Sequence, residues 1–106
     1  MSEALVILCT CPEDAVGRQL ARCLVDLKLA ACVNILPAIR SIYSWQGEVC
    51  DEEEALMVIK TLKSGYPALE AWLRVHHPYD VPEVVALAAD HVSAGYLAWL
   101  ESGVTT

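Results

Sequence analysis

The order in which hydrophobic periodicities succeed one another constrains this chain more than any single motif. Ala4-Leu5-Val6-Ile7-Leu8-Cys9-Thr10 is an unbroken apolar run, too short for a helix and rich in strand formers. It predicts a central strand covered on both faces. Thr10-Cys11-Pro12-Glu13 then offers capping-box spacing with proline in the first turn, and Val16, Leu20, Cys23, Leu24 and Leu27 recur at helical intervals. A helix from Pro12 to Lys28 follows.

From Cys32 to Trp45 the β-branched and aromatic residues return, with Val33, Ile35, Ile39, Tyr43 and Trp45 on one parity and Asn34, Arg40 and Ser44 on the other. Leu36 and Ile42 break the alternation, and Pro37 marks a bulge or an edge. Gln46-Gly47 supplies a two-residue turn into a strand running from Glu48 to Thr61. The arms of this hairpin exceed the usual ~5 to 6 residues of a strand. Ser64 can cap a second helix with Pro67 in its first turn, and Leu69, Trp72, Leu73 and His76 keep helical spacing until Pro78 forbids continuation. Val84-Val85-Ala86-Leu87 reads as a last strand, and a short helix bearing Tyr96, Leu97 and Leu100 closes the chain.

Strand, helix, strand, strand, helix, strand is the split βαβ pattern of an α+β, ferredoxin-like fold. Two helices then cover one face of a four-stranded antiparallel sheet and leave the other face to be buried elsewhere. The 106 residues suffice for a single domain spanning 1–106, and independent cores rarely form below about 50 to 60 residues. Apolar residues make up 56% and charged residues only 20%, a surplus of hydrophobe that points to a homo-oligomer. The overlong hairpin could reach a neighbouring subunit and cover its edge strand.

Composition also excludes partners. A net charge of −7 repels phosphate backbones and anionic lipid surfaces, so neither nucleic acid nor a membrane is expected. No apolar run approaches the roughly 20 residues that span a bilayer, and Met1-Ser2-Glu3 lacks a secretory pattern, which suggests a cytoplasmic protein. Cys9, Cys11, Cys23, Cys32 and Cys50, odd in number and scattered, suit free thiols in a reducing compartment.

Topology brings three candidate ligands together. In the split pattern the first strand and the second helix finish at the same end of the domain, so Cys9 should lie near His76 and His77. One thiolate and two imidazoles favour copper or zinc over magnesium or calcium. Adjacent helical residues point about 100° apart, so both histidines can serve one ion only where the helix has ended, which Pro78 provides. The same residues also suit plain packing: His76 continues the Leu69, Trp72, Leu73 stripe, and Cys9 can be a small hydrophobe in a buried strand. Cys11 is expected at a helix entry, where backbone amides could lower its pKa. Glu48, Asp51, Glu52, Glu53 and Glu54 are read as a solvated face. Asn34, Arg40 and Lys60 are polar residues inside strands and need partners if buried. No glycine-rich phosphate loop or hydrolase elbow is present.

Six stretches, in order and spanning nearly the whole chain, carry a resemblance: Val6-Ile7-Leu8-Cys9-Thr10 with Pro12, Leu29-Ala30-Ala31-Cys32-Val33-Asn34, Ser41-Ile42-Tyr43-Ser44-Trp45-Gln46-Gly47, Lys60-Thr61, His77-Pro78-Tyr79-Asp80-Val81-Pro82-Glu83, and Tyr96-Leu97-Ala98-Trp99-Leu100. Together they resemble the CutA family of divalent-cation tolerance proteins. The resemblance implies a tight homotrimer of ferredoxin-like subunits, similar in architecture to PII signalling proteins. It also implies copper binding, with zinc or another divalent cation as substitutes, through Cys9, His76 and His77. Cys11 and Cys50 stand outside that pattern. The reading is a binding protein rather than an enzyme. A PII-like module holding a small ligand or protein partner between subunits is the alternative, and a thiol or Cys-His enzyme built on Cys9 or Cys11 ranks last.

Overall fold

The computed structural model describes residues 3–105. Its elements are β1 (Ala4–Cys11), α1 (Ala15–Asp26), β2 (Cys32–Trp45), β3 (Glu48–Leu62), a 3₁₀ turn (Lys63–Gly65), α2 (Tyr66–His76), β4 (Val85–Ala88) and α3 (Ala94–Gly103). The strands form one sheet in the order β2-β3-β1-β4 with every pair antiparallel, which is the ferredoxin-like arrangement expected from the sequence.

Strand β1 shows how the layers are built. Leu5, Ile7, Cys9 and Cys11 are buried while Val6, Leu8 and Thr10 between them are only half-buried. The odd residues join Leu20, Leu24, Met57, Ile59, Leu69 and Leu73 in the main core, under α1 and α2. Fully burying each such large aliphatic side chain is worth roughly 1.5 to 3 kcal/mol. The even residues look out from the other face of the sheet, so β1 is not covered on both sides within the protomer. A smaller cluster of Ala4, Leu62, Leu100 and Val104 fastens α3 to the end of β1 and β3.

Two boundaries differ from the sequence reading for local reasons. Helix α1 begins at Ala15, not Pro12, because Thr10 and Cys11 stay in the ladder opposite Leu56 and Ala55. The cap is Asp14, whose carboxylate accepts from the backbone N–H of Val16 at 2.8 Å and of Gly17 at 3.4 Å; an aspartate here satisfies two otherwise orphaned amides. Helix α2 begins at Tyr66 after Gly65 with Pro67 in its first turn, and Ser64 lies in the 3₁₀ turn without capping it.

The hairpin is long, with arms of 14 and 15 residues. Gln46 (φ 51°) and Gly47 (φ 81°) both take left-handed backbone, the requirement of a two-residue turn that matches strand twist. Pairing shifts register between Leu36 and Ile39, where Pro37 donates no ladder bond and Ala38 sits at φ 59°. Arg40, one of the polar strand residues, finds Asp51 across the hairpin at 2.7 Å, an exposed pair worth little on its own.

The packing of α1 on β1 gives a direct test. A Cβ on Gly17 would lie 2.4 Å from the Pro12 carbonyl oxygen and 3.0 Å from Cys11 Sγ, whereas a Cβ on Gly95 meets nothing within 4 Å. Denaturant titration should find Gly17→Ala destabilised by about 1 to 3 kcal/mol, and Gly95→Ala neutral or stabilised by up to about 1 kcal/mol through helix propensity.

Candidate functional site

The end of α2 decides where the histidines go. Pro78 disfavours helical backbone at the residue before it, and His77 accordingly leaves the helix at φ −68°, ψ 138° while its N–H still caps Leu73 O at 2.9 Å. That change of direction carries the His77 ring inward, where it is buried. His77 Nε2 lies 2.9 Å from the Thr10 carbonyl oxygen, and Tyr79 N–H donates to Nδ1 at 3.1 Å. Because a backbone amide can only donate, Nδ1 is the bare nitrogen and Nε2 carries the proton to Thr10. Burial lowers the pKa of the ring, against the opposing pull of the Thr10 bond and the Glu54 charge.

Cys9 meets the same acceptor: its Sγ donates to Thr10 O at 3.6 Å. One carbonyl thus gathers Cys9 and His77 at a common rim. His76 goes elsewhere. It is exposed, its ring is stacked on Trp72 with centroids 4.3 Å apart, and its Nδ1 contacts Trp72 O at 2.9 Å. It does not continue the buried stripe of Leu69 and Leu73.

As arranged, these three residues do not make a coordination shell. Both ring nitrogens of His77 are committed within the chain. Cys9 is fully buried, and that burial, with smaller contributions from Cys11, Glu83 and Glu54, pushes its thiol up to about 12. Of these three side chains, His76 alone keeps a ring nitrogen, Nε2, with no bond to the chain among the described residues. Nor do three or more His, Cys, Asp or Glu side chains converge at another point in a way that could hold a metal ion, again among the described residues.

Cys11 corrects an expectation. It is the last residue of β1, not a helix-entry residue, and burial pushes its thiol up to about 11 where proximity to helix amides would have lowered it. Glu54 corrects another. Glu48, Asp51, Glu52 and Glu53 are exposed as the solvated face requires, but Glu54 is only 6% exposed and accepts from the Tyr79 hydroxyl at 2.8 Å. It sits where the acidic run meets Ala55-Leu56-Met57, the point at which β3 enters the core. That junction was the available signal. The Tyr79 phenol is raised by burial first and by its bond to Glu54 second.

Glu54 and Tyr79 border a cavity of about 610 Å³ between the hairpin and the segment joining α2 to β4. Carboxylates of Glu52, Glu54, Asp80 and Glu83 line it, and Tyr43, Trp45 and Tyr79 supply aromatic surface. Neither Lys nor Arg takes part in the lining.

This is an α+β domain with a ferredoxin-like sheet, an extended hairpin and a thiol and imidazole drawn to one carbonyl. Residues 5–103 match the family model described as CutA1 divalent ion tolerance protein. The chain is 46% identical over 95 residues to the divalent-cation tolerance protein CutA of Thermus thermophilus, covering 90% of this chain and 92% of that one. It is 46% identical over 91 residues to human protein CutA, covering 86% of this chain and 51% of the human protein. The crystal structure of CutA1 from Oryza sativa superposes with a TM-score of 0.93 at 41% identity, covering 97% of this chain and 94% of that one. The chain belongs to the CutA1 family.

The buried titratable groups predict stability at both ends of the pH scale. Cys9 and Cys11 stay protonated in the fold above 9.0, where unfolded thiols ionise, so the unfolded chain binds fewer protons and stability falls as pH rises from about 9. His77 stays neutral below 6.5, where the unfolded ring charges, so stability falls again as pH drops through that range. Urea midpoints measured across pH should show both slopes, and Cys9→Ala should flatten the alkaline one even though it lowers the plateau.

Proposed function

We propose that this protein is a homotrimeric metal-binding protein of divalent-cation tolerance, acting in the cytoplasm without catalysing a reaction, and that its cargo is copper, with zinc or another divalent cation in second place. Family membership supports the tolerance role. The observation that carries the assembly is the uncovered face of the sheet. Leu36, Val85 and Leu87 are 44%, 47% and 50% exposed, and half-buried Val6, Leu8, Leu56 and Val58 lie beside them. An apolar face of this extent is expected to be buried against other copies. No helix among the described residues is long and apolar enough to cross a membrane.

The ligands we propose are Cys9, His76 and His77, the donor set the family likeness indicates. Their chemistry suits a soft or borderline ion. Reaching it from the resting state requires His77 to give up its bonds to Thr10 and Tyr79 and Cys9 to lose its proton, so affinity should rise with pH.

Native mass spectrometry of the full chain should give a trimer, and Leu87→Glu should shift it toward monomer; a monomeric wild type would defeat the assembly. In copper titrations Cys9→Ala and His77→Ala should each weaken binding by about tenfold or more, and affinity equal to wild type in both would remove these ligands.

A further inference from the structure

Cys32 has a neighbour that the metal reading does not use. It opens β2 directly opposite Lys60 on β3. Val33 and Ile59, the residues beside them in the chain, pack into the main core, so strand alternation puts Cys32 and Lys60 together on the other face, where both are half-buried. Lys60 Nζ donates to Cys32 Sγ at 3.9 Å, and the thiol donates onward to Asn34 Oδ1 at 3.9 Å. The Tyr96 phenol of α3 approaches the same sulfur. Among the described residues no carboxylate lies within ion-pair distance of Lys60.

The other thiols lack this arrangement. Cys9 and Cys11 are shut beneath the helices, and burial holds both protonated. Cys23 meets only the side-chain amide of Gln19 at 4.0 Å, and an amide nitrogen is a poor nucleophile. Of the five free thiols, Cys32 alone has an amine at hydrogen-bonding distance among the described residues. A cysteine oxidised to sulfenic acid condenses with a nucleophile held against it, and without one it climbs to the irreversible acids. The flexible four-carbon stem of lysine allows the amine to close on the sulfur while the strands stay paired.

We propose that Cys32 and Lys60 form a modification site, in which peroxide oxidises the sulfur and the lysine amine captures it as a sulfenamide cross-link. Hydrogen peroxide passes one oxygen to the thiol; its O–O bond breaks, the sulfur loses two electrons, and sulfenic acid and water result. The uncharged amine of Lys60 then attacks the sulfur, an N–S bond forms as the S–O bond breaks, and the hydroxyl leaves as a second water with a proton from the amine. One peroxide is consumed, and the chain loses two hydrogens. Two equivalents of an external thiol reverse the change, yielding a disulfide and the original side chains. The link joins two strands of one protomer, and its reagent is scarcely larger than water, so it asks for no open cleft. It is independent of Cys9, His76 and His77 and of metal binding.

Peptide mapping tests it. The full chain is treated with hydrogen peroxide, alkylated, digested with trypsin and weighed. Cleavage after Lys60 should be lost, and residues 29–40 should appear joined to 41–63 at about 2 Da below the sum of the two peptides. Dithiothreitol should release both. Lys60→Arg keeps the positive charge but removes the amine, so the joined species should vanish while Cys32 proceeds to sulfinic acid. Because 41–63 also contains Cys50, Cys50→Ser serves as the control for a disulfide and should leave the link intact. Oxidation of wild-type Cys32 without the link, resistance of Cys32 to peroxide that oxidises Cys23, persistence of the joined peptides in Lys60→Arg, or their loss in Cys50→Ser would each overturn the assignment.

Discussion

A single carbonyl oxygen, that of Thr10, organises the end of the domain where Cys9 and His77 meet. It accepts from His77 Nε2 and from Cys9 Sγ, tying the last turn of α2 to the end of β1. The arrangement follows from Pro78, which forces His77 off the helix and turns its ring inward. Once the ring is seated, its other nitrogen fixes the Tyr79 amide, and the Tyr79 hydroxyl reaches Glu54 on β3. Three elements distant in sequence are thereby joined by hydrogen bonds, and the Tyr79 amide, which can only donate, fixes the tautomer of the His77 ring.

The sheet is asymmetric in what it asks of its surroundings. One face is closed by α1 and α2 over aliphatic side chains, and the thiols on it behave as small hydrophobes held firmly protonated. The other is half-dry, and its polar residues are arranged sparingly: Lys60 sits beside Cys32, with Nζ 3.9 Å from the sulfur. A lone ammonium on an apolar face favours a partner surface that brings an acceptor to it.

Much of this was legible in the sequence. Period-two and period-3.6 patterns gave the element order, and the strand order followed from known rules of connection. Gln46-Gly47 and Pro37 marked the turn and the bulge because each has a backbone property no neighbour shares. The convergence of Cys9 with His77 could be read from topology and Pro78. The separation of His76 was legible only as the angle of about 100° between adjacent helical residues, and the structure adds that His76, the last residue of α2, stacks on Trp72 four positions earlier. Helix α1 was begun too early because Thr10 and Asp14 both offer capping oxygens, and only the ladder to Leu56 decides between them. Glu54 was misread because four exposed acids precede it, and burial changes between one residue and the next. The cavity required Tyr43 and Tyr79, 36 positions apart, to share one space, which no local pattern reveals.

The interruption at Pro37 and Ala38 has a bearing on how β2 meets other chains. This is an outer strand of the sheet, 14 residues long, and an unbroken row of free amides and carbonyls that size would template indiscriminate fibre growth. Shifted in register between Leu36 and Ile39 and kinked by the left-handed Ala38, the strand is divided into two short tracts that cannot be zipped by a single straight invader. Any strand that docks there must match one tract or accommodate the kink, so the defect works as a lock on register as well as a guard against runaway polymerisation.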